Sequence, residues 1–383
     1  MSTLYIHLGT PKTGSSAIQL YLADNKEQLQ KQNYCFAEFP VKFAETGKYR
    51  NGHFLLYLQR PKELKNWQLC VDELKNALDQ YDNVILTEEA LWGWQRKKNW
   101  WNDVKTFLGT LNCDVKFIVY LRAQEDLIES IYNQWVKGFK KSSITFDEFL
   151  DEHRYSYLML HYDEQLKEMA QYFGRENIIA RPYDFAQFKN GNIYEDFLDV
   201  IGAEVTDEFV VPNHAANPSM PYDALEIKRY INSNAAYVKA KNVNFYSNII
   251  RAGYDTLSSD SKKPFKETRT LFTPERLKEI QKDYEQGNEY VAREYFGRED
   301  GVFNTSQKTK ETFTPDSQSL LKEGIKVFSG ADLYLYEENE KLKKTVKQLT
   351  KRLNELEKEV NSVKKSFPIR AWRKVRGHNK EEE

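Results

Sequence analysis

Residues 4 to 19 read Leu4-Tyr5-Ile6-His7-Leu8-Gly9-Thr10-Pro11-Lys12-Thr13-Gly14-Ser15-Ser16-Ala17-Ile18-Gln19. This is a short apolar strand, a lysine-bearing loop bounded by two glycines, and the start of a helix. At such a helix start the N–H groups of Thr13, Gly14, Ser15 and Ser16 have no partner in the helix, and they carry the positive end of its dipole. An anion fits there, and a nucleotide phosphate is the expected one. Gly14 permits close backbone approach, Ser15 and Ser16 add hydroxyls, and Lys12 adds a mobile charge at the loop apex.

The loop nearly has the spacing of a triphosphate-binding loop, with Gly9, four residues and Gly14, but serine stands where the nucleotide lysine belongs. Lys12 instead precedes the second glycine by two positions. A second stretch, Val115-Lys116-Phe117-Ile118-Val119-Tyr120-Leu121, reads as a buried parallel strand followed directly by Arg122. Leu127, Ile128, Ile131 and Trp135 then recur at helical spacing, which places Asp126, Ser130 and Tyr132 on the helix after the strand.

Together these segments resemble sulfotransferases, which use 3'-phosphoadenosine 5'-phosphosulfate. Pro11-Lys12-Thr13-Gly14-Ser15-Ser16 is similar to the Pro-Lys-x-Gly-Thr-Thr loop of that family. Arg122, Asp126, Ser130 and Tyr132 match its Arg-Asn-Pro-x-Asp-x-x-x-Ser-x-Tyr segment in register. The departures are Ala123 and Gln124 for Asn-Pro, and Ala17 where cytosolic members have tryptophan. The resemblance covers about residues 3 to 303. It implies that Pro11 to Ser16 hold the 5'-phosphosulfate and that Arg122 and Ser130 grip the 3'-phosphate, whose guanidinium and hydroxyl donors suit it. Ile178-Ile179-Ala180-Arg181-Pro182-Tyr183 also looks like bacterial carbohydrate sulfotransferases, which adds Arg181 as a candidate sulfate or phosphate contact.

Sulfuryl transfer to a hydroxyl needs a base. Val84-Ile85-Leu86-Thr87-Glu88-Glu89 is a strand ending in two carboxylates, at the sheet edge where ligands of open α/β folds collect. Glu89 is the first candidate, at the position of the glutamate in the Ser-Ser-Glu segment of similar bacterial enzymes. Glu88 and His53, in Asn51-Gly52-His53-Phe54, are the others. Lys12 would stabilise the charge developing on the departing bridging oxygen. No metal is expected, because six histidines are scattered and Cys35, Cys70 and Cys113 show no paired spacing.

Strand-like stretches at 3–9, 83–87, 115–121 and 177–181 alternate with helical ones at 14–31, 68–80, 124–138 and 158–173. The pattern predicts an α/β fold, a P-loop-like parallel sheet flanked by helices on both faces. Segments 34–66 and 210–270 are candidate acceptor flaps, and Trp92, Trp94, Trp100, Trp101, Tyr49 and Phe54 are candidate sugar-stacking rings. The expected organisation is a sulfotransferase domain over 1–303, a linker over 304–330, a coiled coil over 331–366 and a basic, aromatic tail over 367–383.

The coiled coil rests on Leu335, Leu342, Val346, Leu349, Leu353, Leu356, Val360 and Val363, which recur in alternating steps of four and three after the first seven. With Val346, Leu353 and Val360 at a, Asn339 also falls at a, and Leu349, Leu356 and Val363 fall at d. Arg352 then lies across from Glu357 and Glu359 from Lys364 of a parallel partner, so a homodimer is expected. The tail interleaves cations with Phe367, Ile369, Trp372 and Val375 and resembles C-terminal tails of bacterial polysaccharide glycosyltransferases, which implies peripheral contact with a membrane.

A formal net charge of −1 over 383 residues argues against general nucleic-acid binding. Three unpaired cysteines, and no apolar leader or long apolar run, predict a cytoplasmic enzyme; the resemblance, set beside the anchored Golgi sulfotransferases, implies a bacterial one, and the tail implies a peripheral place at the inner face of the cytoplasmic membrane. The expected reaction passes a sulfuryl group from 3'-phosphoadenosine 5'-phosphosulfate to a saccharide hydroxyl of a capsule, lipopolysaccharide or lipid-linked precursor, leaving 3'-phosphoadenosine 5'-phosphate. The alternatives are a small-molecule or nucleotide kinase using the same loop, and a coiled-coil scaffold with a degenerate nucleotide domain.

Overall fold

The computed structural model describes residues 1–39, 50–94, 99–138, 140–153, 160–212, 219–233, 267–300, 303 and 310–365. Tyr49, residues 234–266 of the second expected flap, residues 304–309 and the tail over 367–383 lie outside them.

Five parallel strands form the central sheet: β1 (Ser2–His7), β2 (Tyr34–Phe36), β3 (Asn83–Thr87), β4 (Cys113–Leu121) and β5 (Ile178–Pro182). Their order is β2-β3-β1-β4-β5, with His7 level with Thr87 on one side and with Ile118 on the other. Four of the strands occupy the expected stretches. β2 was expected to lie in an acceptor flap, and it is three residues long, too short to display an alternating pattern.

Between the strands run α1 (Ser15–Asp24), α2 (Lys26–Lys31), α3 (Trp67–Gln80), α4 (Ala90–Trp94), α5 (Trp100–Leu108), α6 (Gln124–Lys137), α7 (Phe146–His153) and α8 (Tyr162–Phe173). The expected helix over 14–31 is broken at Asn25, whose amide holds the Tyr21 carbonyl at 2.8 Å and the Val210 carbonyl at 2.9 Å. After β5 come α9 (Ile193–Ile201) and α10 (Tyr222–Asn232), the short pair β6 (Arg269–Thr270) and β7 (Glu311–Thr312) flanking α11 (Pro274–Val291), and the 49-residue α12 (Ser317–Lys365).

Side-chain alternation along β4 separates two cores. Phe117, Val119 and Leu121 pack with Leu4, Ile6 and Leu86 under α3, α5, α6 and α8, whereas Ile118 and Tyr120 pack with Ile18, Tyr21, Phe197 and Leu198 of α1 and α9. Helices therefore cover both faces. The helix after β1 goes to one face, and the helices after its neighbours β3 and β4 go to the other. Such a divergence opens a crevice at the carboxyl edge of the sheet, beside β1.

Several rings proposed for sugar stacking are core. Trp92, Trp100, Trp101 and Phe54 are fully or almost fully buried, because a sheet covered on both sides needs large apolar volume. The side chain of Trp94 lies outside the described residues. The expected linker is also corrected. The long helix begins at Ser317, not 331, and Val327 is fully buried where its first turns meet α10. Residues 317–330 of the expected linker therefore belong to an amphipathic helix with one docked stripe.

Candidate functional site

The loop after β1 is fixed from within. The Thr10 hydroxyl donates to the Tyr120 carbonyl at 2.6 Å, and the Thr13 hydroxyl donates to the Thr10 carbonyl at 2.7 Å. Thr13 is thus fully buried, and its hydroxyl is a strut and not a ligand donor. Lys12 adopts φ 65°, a left-handed conformation that costs a residue other than glycine about 1 kcal/mol and is found where a site over-determines the backbone. Gly14 also has a positive φ, and a Cβ there would stand 2.7 Å from Ile193 Cδ1.

α1 starts on Gly14 with no side-chain cap and no acidic residue in its first turn. Among the described residues, none of the N–H groups of Thr13, Gly14, Ser15 and Ser16 donates to a protein acceptor. A helix end left this way is a cradle for an anion. Pro11 and Lys12 are half-buried beside it, and Ser16 is exposed. Burial, and then the neighbouring Arg122 guanidinium, push the Lys12 ammonium below the usual lysine range, with Glu89 acting in the opposite sense.

Arg122, at the end of β4, reaches this loop directly. One of its terminal nitrogens donates to the Lys12 carbonyl at 3.1 Å, and its guanidinium lies 5.7 Å from the centre of the Tyr183 ring. Its other N–H groups meet no protein acceptor among the described residues. Its own carbonyl is held by the Tyr162 hydroxyl at 2.7 Å. Ser130 lies on the inner side of α6 and is nearly buried, while Asp126 pairs with Lys310 at 2.8 Å. Tyr183 went unrecognised in the sequence, where only its place after a proline was visible. Its ring borders Gly14, at 3.3 Å from where a Cβ would be, and faces Arg122.

The two glutamates after β3 diverge sharply. Glu89 takes the Ser15 hydroxyl at 2.8 Å and lies against Gly9, where a Cβ would stand 2.7 Å from the Glu89 Cβ. The loop after β1 and this carboxylate are therefore in contact. Glu88 is wholly buried. It pairs with Arg50, accepts the Ala90 N–H at 2.9 Å and holds His53 Nδ1 at 2.9 Å. Glu88 was a candidate base, but the structure makes it an anchor with its acceptor positions taken.

The segment carrying Arg50 and His53 is stitched to β3. Asn51 donates to the Ala37 and Ile85 carbonyls, both at 2.9 Å, and accepts the Thr87 N–H at 2.8 Å. Gly52 donates to the Thr87 carbonyl at 3.0 Å, at a spot where a Cβ would lie 3.1 Å from that oxygen. His53 is thereby brought to the same edge as Glu89.

Arg181 stands differently. Asp196 on α9 accepts both from its Nε, at 3.2 Å, and from its terminal nitrogen, and Asp196 also takes the Tyr120 hydroxyl at 2.8 Å and the Lys189 N–H at 3.0 Å. Burial disfavours the Arg181 charge, but Asp196 more than offsets this and holds it above the usual arginine range. Burial and then Asp196 raise the Tyr120 phenol well above its ordinary value. Arg181, a candidate ligand contact in the sequence, has its Nε and one terminal nitrogen engaged by a buried carboxylate supplied from 15 residues away.

Among the described residues no group of three or more His, Cys, Asp or Glu side chains is placed to hold a metal ion, and no helix is long and apolar enough to cross a membrane. Cys35 and Cys70 are buried, Cys113 is half-buried, and all three are free thiols.

Fold and geometry define a parallel α/β protein with an uncapped loop-and-helix cradle, flanked by a lysine, an arginine and a carboxylate, at the carboxyl edge of its sheet. No family model matches the chain. It is 29% identical over 204 residues to an uncharacterized protein of Archaeoglobus fulgidus, a match covering 51% of this chain, and it spans about half the length of that curated relative. Among solved structures it is similar to a sulfotransferase from Alicyclobacillus acidocaldarius, with a TM-score of 0.36 and 16% identity over 61% of this chain and 93% of that one. It is also similar to the sulfotransferase domain from the curacin biosynthetic pathway, with a TM-score of 0.34 and 11% identity over 56% of this chain and 79% of that one.

Proposed function

We propose that this protein is a sulfotransferase that moves a sulfuryl group from 3'-phosphoadenosine 5'-phosphosulfate to a saccharide hydroxyl. The observation that carries this reading is the contact between the two motifs. The guanidinium of Arg122 bonds the backbone of Lys12, beside four N–H groups that have no protein acceptor among the described residues. A donor with phosphate at both ends of its adenosine asks for two adjacent sources of positive charge.

In this reading the Gly14–Ser16 amides and Lys12 bind the sulfated end. Arg122, with its remaining donors, and Ser130 bind the ribose phosphate. Lys12 stabilises negative charge on the phosphate oxygen as its bond to sulfur breaks. Glu89 takes the proton of the acceptor hydroxyl while that oxygen bonds to sulfur. Its contact with Ser15 favours it over Glu88. A second assignment has its own support: Glu88 orients the His53 imidazole, as a carboxylate does for a histidine base. The saccharide class rests on the sequence resemblance, and membrane attachment rests on the tail over 367–383, outside the described residues.

Incubation with 3'-phosphoadenosine 5'-phosphosulfate and a panel of saccharides, read by mass spectrometry, should give a sulfated product that Glu89→Gln abolishes. If His53→Asn abolishes turnover while Glu89→Gln keeps it, the base is reassigned. A phosphorylated product formed from ATP would replace the proposal with the kinase.

A further inference from the structure

We infer that α12 is one strand of a parallel two-stranded zipper, and that its partner is a second copy of this chain. The observation is a long apolar seam on the solvent side of this helix. Leu321, Ile325, Phe328, Leu335, Leu342, Val346, Leu349, Leu353, Leu356 and Val360 are all exposed, Leu342, Val346 and Leu349 by 60% or more. They follow alternating steps of four and three, interrupted only by Asp332 and Asn339 at two a positions. An amphipathic helix with its apolar face in water normally covers it.

The domain itself does not cover this stripe, because the helix docks through another. Val327 and Ala331 are buried, and a Cβ on Gly324 would lie 3.9 Å from Ile227 Cδ1 of α10. That docked face is offset around the helix from Leu321, Ile325 and Phe328. Both faces are thus in use over the first turns, one for the domain and one facing solvent, so pairing needs no undocking of the helix.

The seam chemistry selects the occupant. Valine at a with leucine at d favours two strands, and Asn339 at a pairs best with its own copy in register. In a parallel pair Glu338 faces Lys343 and Arg352 faces Glu357 of the partner helix, both attractive, and no like-charged pair arises at these edge positions. Asp332 would face its own copy, so the tight part of the zipper runs from Leu335 to Val360. A rigid helix docked on each domain then points both carboxyl sheet edges to fixed directions in the pair.

Light scattering of the full-length chain should give twice the chain mass at micromolar concentration, and Leu349→Glu with Leu356→Glu should give the single-chain mass with the melting of the sheet domain unchanged. Val346→Cys, placed at an a position, should form an interchain disulfide on mild oxidation that the wild-type chain, with two of its three thiols buried, does not form. A monomer at all concentrations, or a dimer that the double glutamate variant leaves intact, overturns the inference. A dimer in which Val346→Cys fails to cross-link overturns the parallel pairing.

Discussion

Arg122 and Arg181 leave adjacent strands of one sheet, near the same edge, yet their surroundings are opposite. Arg181 is closed into a network with Asp196 and Tyr120, in which a buried carboxylate receives four hydrogen bonds. Arg122 makes one bond to a loop carbonyl and keeps its other donors without a protein acceptor among the described residues. The same contrast separates Glu88, held by Arg50, His53 and a main-chain N–H, from Glu89, which accepts the Ser15 hydroxyl and lies near the Lys12 charge at the mouth of the loop. Polar groups whose partners are all inside the protein hold its shape, and groups left incomplete at a crevice are the ones positioned to meet a ligand.

The largest expected effect falls on the open region. Lys12→Ala should lower turnover by on the order of a hundred- to a thousand-fold, as loss of one charge-stabilising donor does, while leaving the melting temperature nearly unchanged. A Lys12→Ala enzyme with normal turnover would break the contrast at its most important point. In the closed region the outcome should be reversed. Asp196→Ala strands a part-buried guanidinium and should cost about 3–5 kcal/mol in denaturant unfolding, and any loss of activity should track the loss of folded protein. If Asp196→Ala instead abolished donor binding in a fully folded protein, Arg181 would belong with the ligand after all.

A smaller effect is expected where the two regions meet. Gly14→Ala should cost about 1–2 kcal/mol from its left-handed φ alone, and the contact with Ile193 Cδ1 should push the loop out of register, so that anion affinity falls along with stability. Titration with pyrophosphate before and after the change reads the affinity.

The smallest effect at neutral pH, which grows only as acid is added, concerns His7, whose imidazole lies fully buried against the edges of Tyr120 and Phe197 with neither nitrogen hydrogen-bonded among the described residues. Burial pushes its pKa down from 6.5 to about 3. The unfolded chain takes up a proton near 6.5 that the folded chain refuses, so stability declines as pH falls from about 6.5 to about 3, by roughly 1.4 kcal/mol per pH unit. His7→Phe should flatten this decline in urea melts across that window, and an unchanged slope would show that other groups set the acid sensitivity.

Much of this architecture was legible because it is local. The strand–loop–helix at 4–19 and the strand ending at Arg122 carry their own patterns, and they proved to be neighbours in the sheet. What was hidden depends on distant partners. Nothing near Arg181 announces Asp196 on α9, and nothing in Glu88-Glu89 says which one meets Arg50, 38 residues away. The tryptophans look the same in sequence whether they line a sugar site or fill a core, and only the two-sided cover of the sheet decides it. The seam of α12 was recognised only from Leu335 onward because Asp332 breaks the repeat that Leu321, Ile325 and Phe328 begin.

The proposed function requires the Lys12 loop and Arg122 together to hold an adenosine bearing phosphate at both its 3' and 5' positions. Calorimetric titration of the full-length protein with 3'-phosphoadenosine 5'-phosphate, ADP and ATP, with and without magnesium, tests this most directly. Tight, magnesium-independent binding of the first nucleotide is expected, with weaker binding of the other two and loss of that preference in Arg122→Ala. Binding of ATP that is tighter and requires magnesium would contradict it.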